Sequence, residues 1–432
     1  MKPITIKIHQ LGKVKDSDIE ILPFVIFSGE SGLGKSYMAM LCHYFYEVLL
    51  DTTRINSFLS KFPIPEELKN EGTAFILKKK DLEQWLAKDA ITYIGEMLGN
   101  TSLSGSIEVS LPDNIPDEIA CTFKEEFIGV VTKEDVYIIL SMGNLNYRII
   151  DTVLADEESP FSLLTRFVLI SYIFEDYRGL NSTFVFPPSR GPLMTETIIP
   201  QTGMYNQFLK DLNEFTRMPN RQEEETLNLL SLLHLVMDGE VIRKDNKYIY
   251  VSKAVEIPLS AAAASVREIA PLEMLARKID VKSTSILLEE PEAHLHPSKQ
   301  RMMADILSAF FNSGMFMQIT THSDYLITRL NELITLNRVK EKFSDTTKFI
   351  ELCRKAKTLP ELVLDTKNIG SYLLVRDEND DCSRVKRQEL QEGVPFVSFS
   401  NAINDSLEIG ELLSETLDEE SETLDEDNRQ FF

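Results

Sequence analysis

The chain has 432 residues, 43% of them apolar and 9% aromatic, enough to fill the core of one large domain or two ordinary ones. Its 45 basic and 68 acidic residues give a net charge of −23, which excludes a surface that is basic throughout while leaving room for a local basic groove. No segment reaches the roughly 18 to 20 apolar residues of a membrane span and the N-terminus lacks a signal-peptide core, so a cytoplasmic protein with no membrane partner is expected.

Cys42, Cys121, Cys353 and Cys382 lie far apart and form no CxxC pair, so neither a zinc knuckle nor a disulfide framework is expected. Ile4, Ile6 and Ile8 alternate with polar residues, and "IEILPFVIFSG" (19–29) continues as a strand and then a buried strand, giving a β-rich N-terminal lobe. "SYMAMLCHYFYEVLL", from Ser36, is apolar nearly all round and predicts a buried helix. Between 79 and 98, Leu82, Trp85, Leu86, Ala90, Tyr93, Ile94, Met97 and Leu98 share one helical face. Strand candidates follow at 106–111, 118–123, 127–131 and 136–141. Helical periodicity then resumes from 160 to 240, broken by "STFVFPPSRGP", so residues 51–240 read as an inserted, mostly helical lobe. After 250, "SILLEE", a helix from about 297, "FMQITT" and a helix from about 323 follow in βαβα order, which implies a parallel sheet.

The expected fold class is therefore α/β, with an N-terminal β-rich lobe, a central mostly helical insertion and a C-terminal parallel-sheet lobe. The expected domain spans 1–335, followed by an α/β extension (336–400) and an acidic tail (401–432). No heptad pattern persists, so no long coiled-coil arm is expected. The tail holds 11 acids and one Arg, a charge of −10 that leaves −13 for the rest. Its repeat, "SETLDEE" (414–420) and "SETLDED" (421–427), suits a short acidic helix or a solvated disordered segment, and an acidic mask over a basic groove is a third possibility.

"GESGLGKS" (29–36) matches G-x-x-x-x-G-K-S and sits between an apolar strand and an apolar helix. Gly29, Gly32 and Gly34 let the loop curl, so that the backbone of Gly29, Glu30, Ser31, Gly32, Leu33, Gly34, Lys35 and Ser36 faces a polyphosphate at a helix N-terminus. Lys35 would reach the phosphates and Ser36 would ligate Mg²⁺. A plain glycine turn is the alternative, and the Lys-Ser pair in this setting argues against it.

Such a loop needs a partner strand ending in a carboxylate, and "ILLEEPEAHLHP" (286–297) supplies one. Adjacent carboxylates at a strand end point to different sides. Glu289 would then hold magnesium, while Glu290 would orient and deprotonate the attacking water. A solvated acidic turn, or a metal cluster with His294 and His296, are the competing readings. "FMQITTHSDYLI" (316–327) places His322 just past a second strand end, within reach of the γ-phosphate or the water, unless it is merely structural.

Together these motifs resemble the ABC-type P-loop ATPase heads of the SMC, RecF and OLD-like (overcoming-lysogenization-defect) proteins. The motifs cover about 80 residues spread over about 300. The resemblance implies ATP and Mg²⁺ as cofactors, Glu290 as catalytic base, His322 as switch histidine, and Glu292, His294 and His296 on a loop ("EAHLHP") facing a second subunit. It also implies that two heads sandwich ATP, each offering a signature helix in trans. "PLSAAAASVREIAPLEML" (258–275) is the candidate, with Ser260 or Ser265 capping the helix and Arg267 beside them. Val266 stands where a glycine is expected, and an ordinary capped helix is the other reading. "FVFPPSRGP" resembles a strand-and-arginine segment of OLD-like ATPases, in which Arg190 serves the nucleotide or a lobe contact; a surface Arg on a rigid Pro-Pro turn is equally compatible.

No Glu-Gly strand precedes "LLVRDENDDCS", which reads as a hairpin and not as a Toprim nuclease site. The function implied is an ATP-hydrolysing subunit that forms a homodimer or higher oligomer through nucleotide and controls a separately encoded effector. A nuclease in antiphage defence, as in PARIS- or Septu-type systems, is the leading role, with DNA or a phage protein as further partners. The alternatives are a DNA-repair or chromosome-maintenance ATPase acting directly on DNA, and a non-catalytic nucleotide-gated scaffold.

Overall fold

Alternating isoleucines lead the first two strands, β1 (Ile4–Leu11) and β2 (Val14–Ile21), whose apolar residues are buried and whose charged residues face out, with Ser17 of β2 the buried polar exception. β3 (Phe24–Gly29) is buried at every position, as a strand covered on both faces must be. Then come α1 (Lys35–Glu47) and α2 (Thr52–Leu59), capped by Asp51, whose carboxylate accepts from the N–H groups of Thr53 and Arg54. β4 (Glu71–Lys78), α3 (Lys79–Leu98), β5 (Gly105–Ser110), β6 (Glu118–Val130), β7 (Lys133–Met142), β8 (Leu145–Ile150), α4 (Pro160–Phe174) and β9 (Ser182–Phe186) follow. The chain continues through α5 (Gly203–Phe215), α6 (Glu224–Met237), β10 (Glu240–Lys244), β11 (Lys247–Val251), β12 (Glu256–Pro258) and α7 (Ala264–Lys278). It ends with β13 (Thr284–Glu289), α8 (Pro297–Asn312), β14 (Phe316–Thr320), α9 (Asp324–Lys342), α10 (Thr346–Lys355), β15 (Ile369–Arg376) and β16 (Ser383–Arg387). This computed structural model describes residues 1–65, 67–130, 133–150, 159–195, 200, 202–245, 247–342, 346–377, 380–390, 393–394, 404 and 406–414.

Nine strands form one sheet in the order β5, β1, β2, β16, β15, β3, β14, β13, β9. From β15 to β9 all neighbours are parallel, whereas β5, β1 and β2 pair antiparallel. The strand period of two divides the core between the two faces. Val25, Phe27 and Leu287 pack with α1, α3 and α4 on one side. Phe24, Ile26, Ile286 and Leu288 pack with α5 to α9 on the other. The inserted region adds a smaller antiparallel sheet, β4, β6, β7 and β8.

Several expectations change. The N-terminal and C-terminal lobes share one sheet, because β3 lies between β14 and β15. Residues 336–400 are not a separate extension after 335, since β15 pairs with β3 inside that sheet. The inserted lobe is not continuous either: β5 and β9 return to pair with β1 and β13. The candidates 118–123 and 127–131 are one strand, β6. "LLVRDENDDCS" is the β15–β16 hairpin, antiparallel as expected. The tail repeat lies outside the described residues after Ser414; before it, residues 406–414 are helical.

His43, on α1, is fully buried against Gln318 of β14, whose Oε1 lies 3.2 Å from Nδ1. Burial pushes its pKa from 6.5 down to about 4, opposed by the Gln318 hydrogen bond. The unfolded chain therefore takes up this proton near pH 6.5 while the folded chain resists until about 4. This contribution to stability is present above pH 6.5 and is lost as pH falls, by roughly 3 kcal/mol. Urea unfolding at pH 7 and pH 4.5 should show His43→Gln losing less stability on acidification than the native chain, by about that amount. Equal losses would contradict a buried neutral histidine.

Candidate functional site

The parallel register sets β3, β14 and β13 side by side with their carboxyl ends at one edge of the sheet. Ligands bind at such an edge because the loops leaving each strand converge there. The glycine-rich loop leaves β3, Glu289 closes β13 with Glu290 directly after it, and His322 follows β14.

The loop wraps tightly for a steric reason. Gly29 has φ +125°, and a Cβ there would lie 2.5 Å from the carbonyl oxygen of Leu374 on β15. Gly34 stands at the N-cap of α1. The Ser383 hydroxyl of β16 donates to the Leu33 carbonyl at 2.7 Å. The β15–β16 hairpin thus buttresses the loop, a role that nothing in its own sequence signals.

Lys35 is only 6% exposed, and its Nζ donates to the carbonyls of Gly29 (3.0 Å) and Glu30 (2.7 Å) within its own loop. Burial pulls its pKa down to about 8, against the opposing charges of Glu290, Glu289, Glu292 and Glu30. Ser36 Oγ donates to Glu289 Oε2 at 2.5 Å, joining residues 253 positions apart. Glu289 is 4% exposed, and burial raises its carboxyl to about 7, which Glu290 reinforces and the Ser36 hydrogen bond and Lys35 oppose. Its Oε1 is buried and has no hydrogen-bond partner among the described residues. A hard cation satisfies such an oxygen, and the hydroxyl and carboxylate donors of Ser36 and Glu289 fit magnesium.

Glu290 adopts φ +45°, a strained setting for a non-glycine residue. Its N–H donates to the carbonyl of Thr320 (3.1 Å) and approaches Thr320 Oγ1 (3.3 Å). Its carboxylate is part-exposed, with Oε1 4.0 Å from Nε2 of His322. That separation exceeds a direct hydrogen bond. Burial and Lys35 lower the pKa of His322, and Glu290 opposes them.

Glu292, expected at a subunit interface, instead points inward. Its Oε1 accepts from Thr321 Oγ1 (2.8 Å) and from the His322 N–H (2.6 Å), so it fixes the turn that presents His322. Burial raises its pKa. His294 and His296 are exposed, and His296 caps α8 by accepting from the Ser298 N–H at 3.3 Å. They form no metal cluster with Glu289 and Glu290: among the described residues the only His/Cys/Asp/Glu group close enough for one ion is His234, Glu240 and Glu273.

Neither Ser260 nor Ser265 caps a helix. Ser260 lies in a 3₁₀ turn (Leu259–Ala261), and α7 starts after Ala263 with no side-chain cap, leaving Ser265 in its first turn beside Arg267. The sequence Ala261–Ala264 offers no polar group to mark that boundary. Arg190 is not a surface residue: it is fully buried where the turn after β9 meets α7 and β13. The glycine signal alone could not find Leu374, Ser383 or Glu292.

A family profile described as an AAA ATPase domain (AAA_15) matches residues 137–327, a span that includes Arg190, Glu289, Glu290 and His322. No curated protein matches the chain. Among solved structures it is similar to an SmcHead bound to the C-winged helix domain of ScpA, with 10% identity, 90% of this chain and 98% of that chain covered, and a TM-score of 0.36. It is similar to the SMC head domain from Thermotoga maritima (11%, 90% and 100%, TM-score 0.33). A third is the Smc head domain with an extended coiled coil bound to the C-terminal domain of ScpA derived from Pyrococcus furiosus (9%, 94% and 98%, TM-score 0.39). Likenesses at these scores decide nothing about function. The parallel sheet, the loop after β3 and the acidic end of β13 define an α/β P-loop domain of ATPase type. No helix among the described residues is long and apolar enough to cross a membrane.

The loop geometry separates two glycines. Gly32 has φ +78° with nothing among the described residues within 4 Å of an added Cβ, so Gly32→Ala meets backbone strain alone, about 1 kcal/mol. Gly29→Ala adds the Leu374 clash and should cost about 3 kcal/mol in denaturant unfolding. Equal costs would show that β15 does not confine the loop.

Proposed function

We propose that this chain binds ATP with Mg²⁺ in its glycine-rich loop, hydrolyses it, and uses the nucleotide to pair with a second copy in the ABC manner. The observation that carries this reading is the Ser36–Glu289 contact at 2.5 Å, beside a buried carboxylate oxygen with no partner among the described residues. Magnesium held there would neutralise charge on the phosphate oxygens. Lys35, released from the carbonyls of Gly29 and Glu30, would turn its Nζ to the phosphates. Glu290 and His322, 4.0 Å apart and part-exposed, leave room between them for a water or a phosphate oxygen. Glu290 would take the proton of that water, and His322 would donate to the oxygen it meets.

The cytoplasm is the setting we infer, and the effector under control is a separately encoded nuclease in antiphage defence. Support for that role is the family resemblance of the motifs and not any residue. His294 and His296, exposed past the end of β13, would face the second copy.

Removing the carboxylate at Glu290 should leave binding intact while turnover falls about a hundredfold or more. Phosphate release and light scattering with ATP would check this, since Glu290→Gln should accumulate dimers. Undiminished hydrolysis removes Glu290 as the base. Lys35→Ala should abolish binding of a fluorescent ATP analogue, and retained affinity would move the nucleotide elsewhere.

A further inference from the structure

We propose that Arg190 is a positioning residue that couples the magnesium end of the nucleotide site to α7, so that filling one is felt by the other. The inference rests on the nucleotide-site reading above and extends it to the route by which the site reaches its surroundings. Arg190 is fully buried and Glu268 is 2% exposed. Nη1 donates to the backbone carbonyl of Glu289 (3.0 Å), the residue whose side chain meets Ser36, and to that of Pro187 (3.1 Å). Nε donates to the carbonyl of Glu268 on α7 (2.9 Å). One rigid guanidinium therefore grips the end of β13 and the first turns of α7 together.

The second half of the link runs the other way. The Glu268 carboxylate accepts from the backbone N–H groups of Arg190 (3.0 Å) and Gly191 (3.0 Å), with Nε of Arg190 3.8 Å from Oε2. A Cβ on Gly191 would lie 2.8 Å from Glu268 Oε1 and 3.0 Å from Arg267 Cβ, so the turn sits flush on the helix. Pro271 lies within α7 and has no N–H to give the Arg267 carbonyl, so the helical ladder is broken one residue from where Nε enters.

A buried ion pair of this kind is weak evidence for stability, because desolvation offsets the attraction, and its best-attested use is to fix one arrangement among several. Burial does lower the pKa of Arg190, opposed by Glu268, Glu292 and Glu290, so its charge also acts on the carboxylates at the end of β13. Nη2 is buried without a partner among the described residues, so the contacts seen do not use the full donor set of the guanidinium. A shift of the β13 end on loading of Ser36 and Glu289 would pass through the Glu289 carbonyl to Arg190, and from there to the turn of α7 that follows Ser265.

Hydrogen–deuterium exchange on the full chain, with and without Mg²⁺-ATP at a concentration where light scattering shows monomers, reads both ends at once. Slowed exchange in α1 reports that the loop is filled; residues 264–268 report α7. In the native chain both should slow, the second by about tenfold. Arg190→Lys keeps the charge and loses the fork, so it should retain the α1 response and lose that at 264–268. A purely structural role would not remove a nucleotide-dependent difference. Should Arg190→Lys fail to fold, Glu268→Gln, which leaves one acceptor for two N–H groups, should give the same loss.

An unchanged response at 264–268 in the folded variant overturns the coupling, as does no response there in the native chain while α1 responds. No response at α1 removes the nucleotide-site reading and the coupling with it. Responses at both ends without phosphate release keep the coupling and remove only hydrolysis.

Discussion

Parallel pairing of β3, β14 and β13 is the constraint on which the rest of the site depends. Met317 lies opposite Phe24 on one side of β14 and Ile286 on the other, so three strands from distant parts of the chain end level with one another. Because parallel strands need long crossovers, the segments joining them are free to carry the inserted lobe without disturbing the shared edge. Ser36 and Glu289 meet at 2.5 Å only because that register holds. A slip by one residue would turn Glu289 into the face occupied by Leu288 and put the carboxylate in the core.

The same edge concentrates charge in a place that resists it. Glu289 and Glu292 are buried beside a part-exposed Glu290, with Lys35 and Arg190 as the buried cations near them. Desolvation raises both buried carboxyls and lowers both cations, which is the pattern expected of a preorganised site waiting for a charged ligand. Glu292 resolves part of that tension through the His322 N–H and the Thr321 hydroxyl, whereas Glu289 retains an oxygen without a partner among the described residues. The proposed function is concentrated where the local chemistry is least self-satisfied.

Legibility in the sequence followed the range of the interactions. The loop at 29–36 and the apolar run into Glu289 were readable because each is a local pattern with a local steric reason: glycines for the curl, a period of two for the strand. β15 was not readable as a central strand. "IGSYLLV" says only that it is buried, and its pairing with β3 is decided about 340 residues away. Arg190 was ambiguous for a similar reason, since a Pro-Pro-Ser-Arg-Gly turn has the same composition whether it faces water or a helix. Ser260 and Ser265 misled because capping chemistry favours serine, while the helix in fact begins after Ala263 with no side-chain cap. Glu292 reads, with the histidines beside it, as part of a loop facing a second subunit, and only the fold turns it toward Thr321.

In the proposed ATP site, Ser36 and Glu289 act as one magnesium-dependent unit. Calorimetric titration of ATP with and without Mg²⁺, on the native chain, Ser36→Ala, Glu289→Gln and the double variant, tests it most directly. Either single change should remove the gain in affinity that Mg²⁺ brings, and the double variant should lose little more, a coupling of about 1 to 3 kcal/mol. Losses that simply add, or an Mg²⁺ dependence that survives both changes, would contradict it.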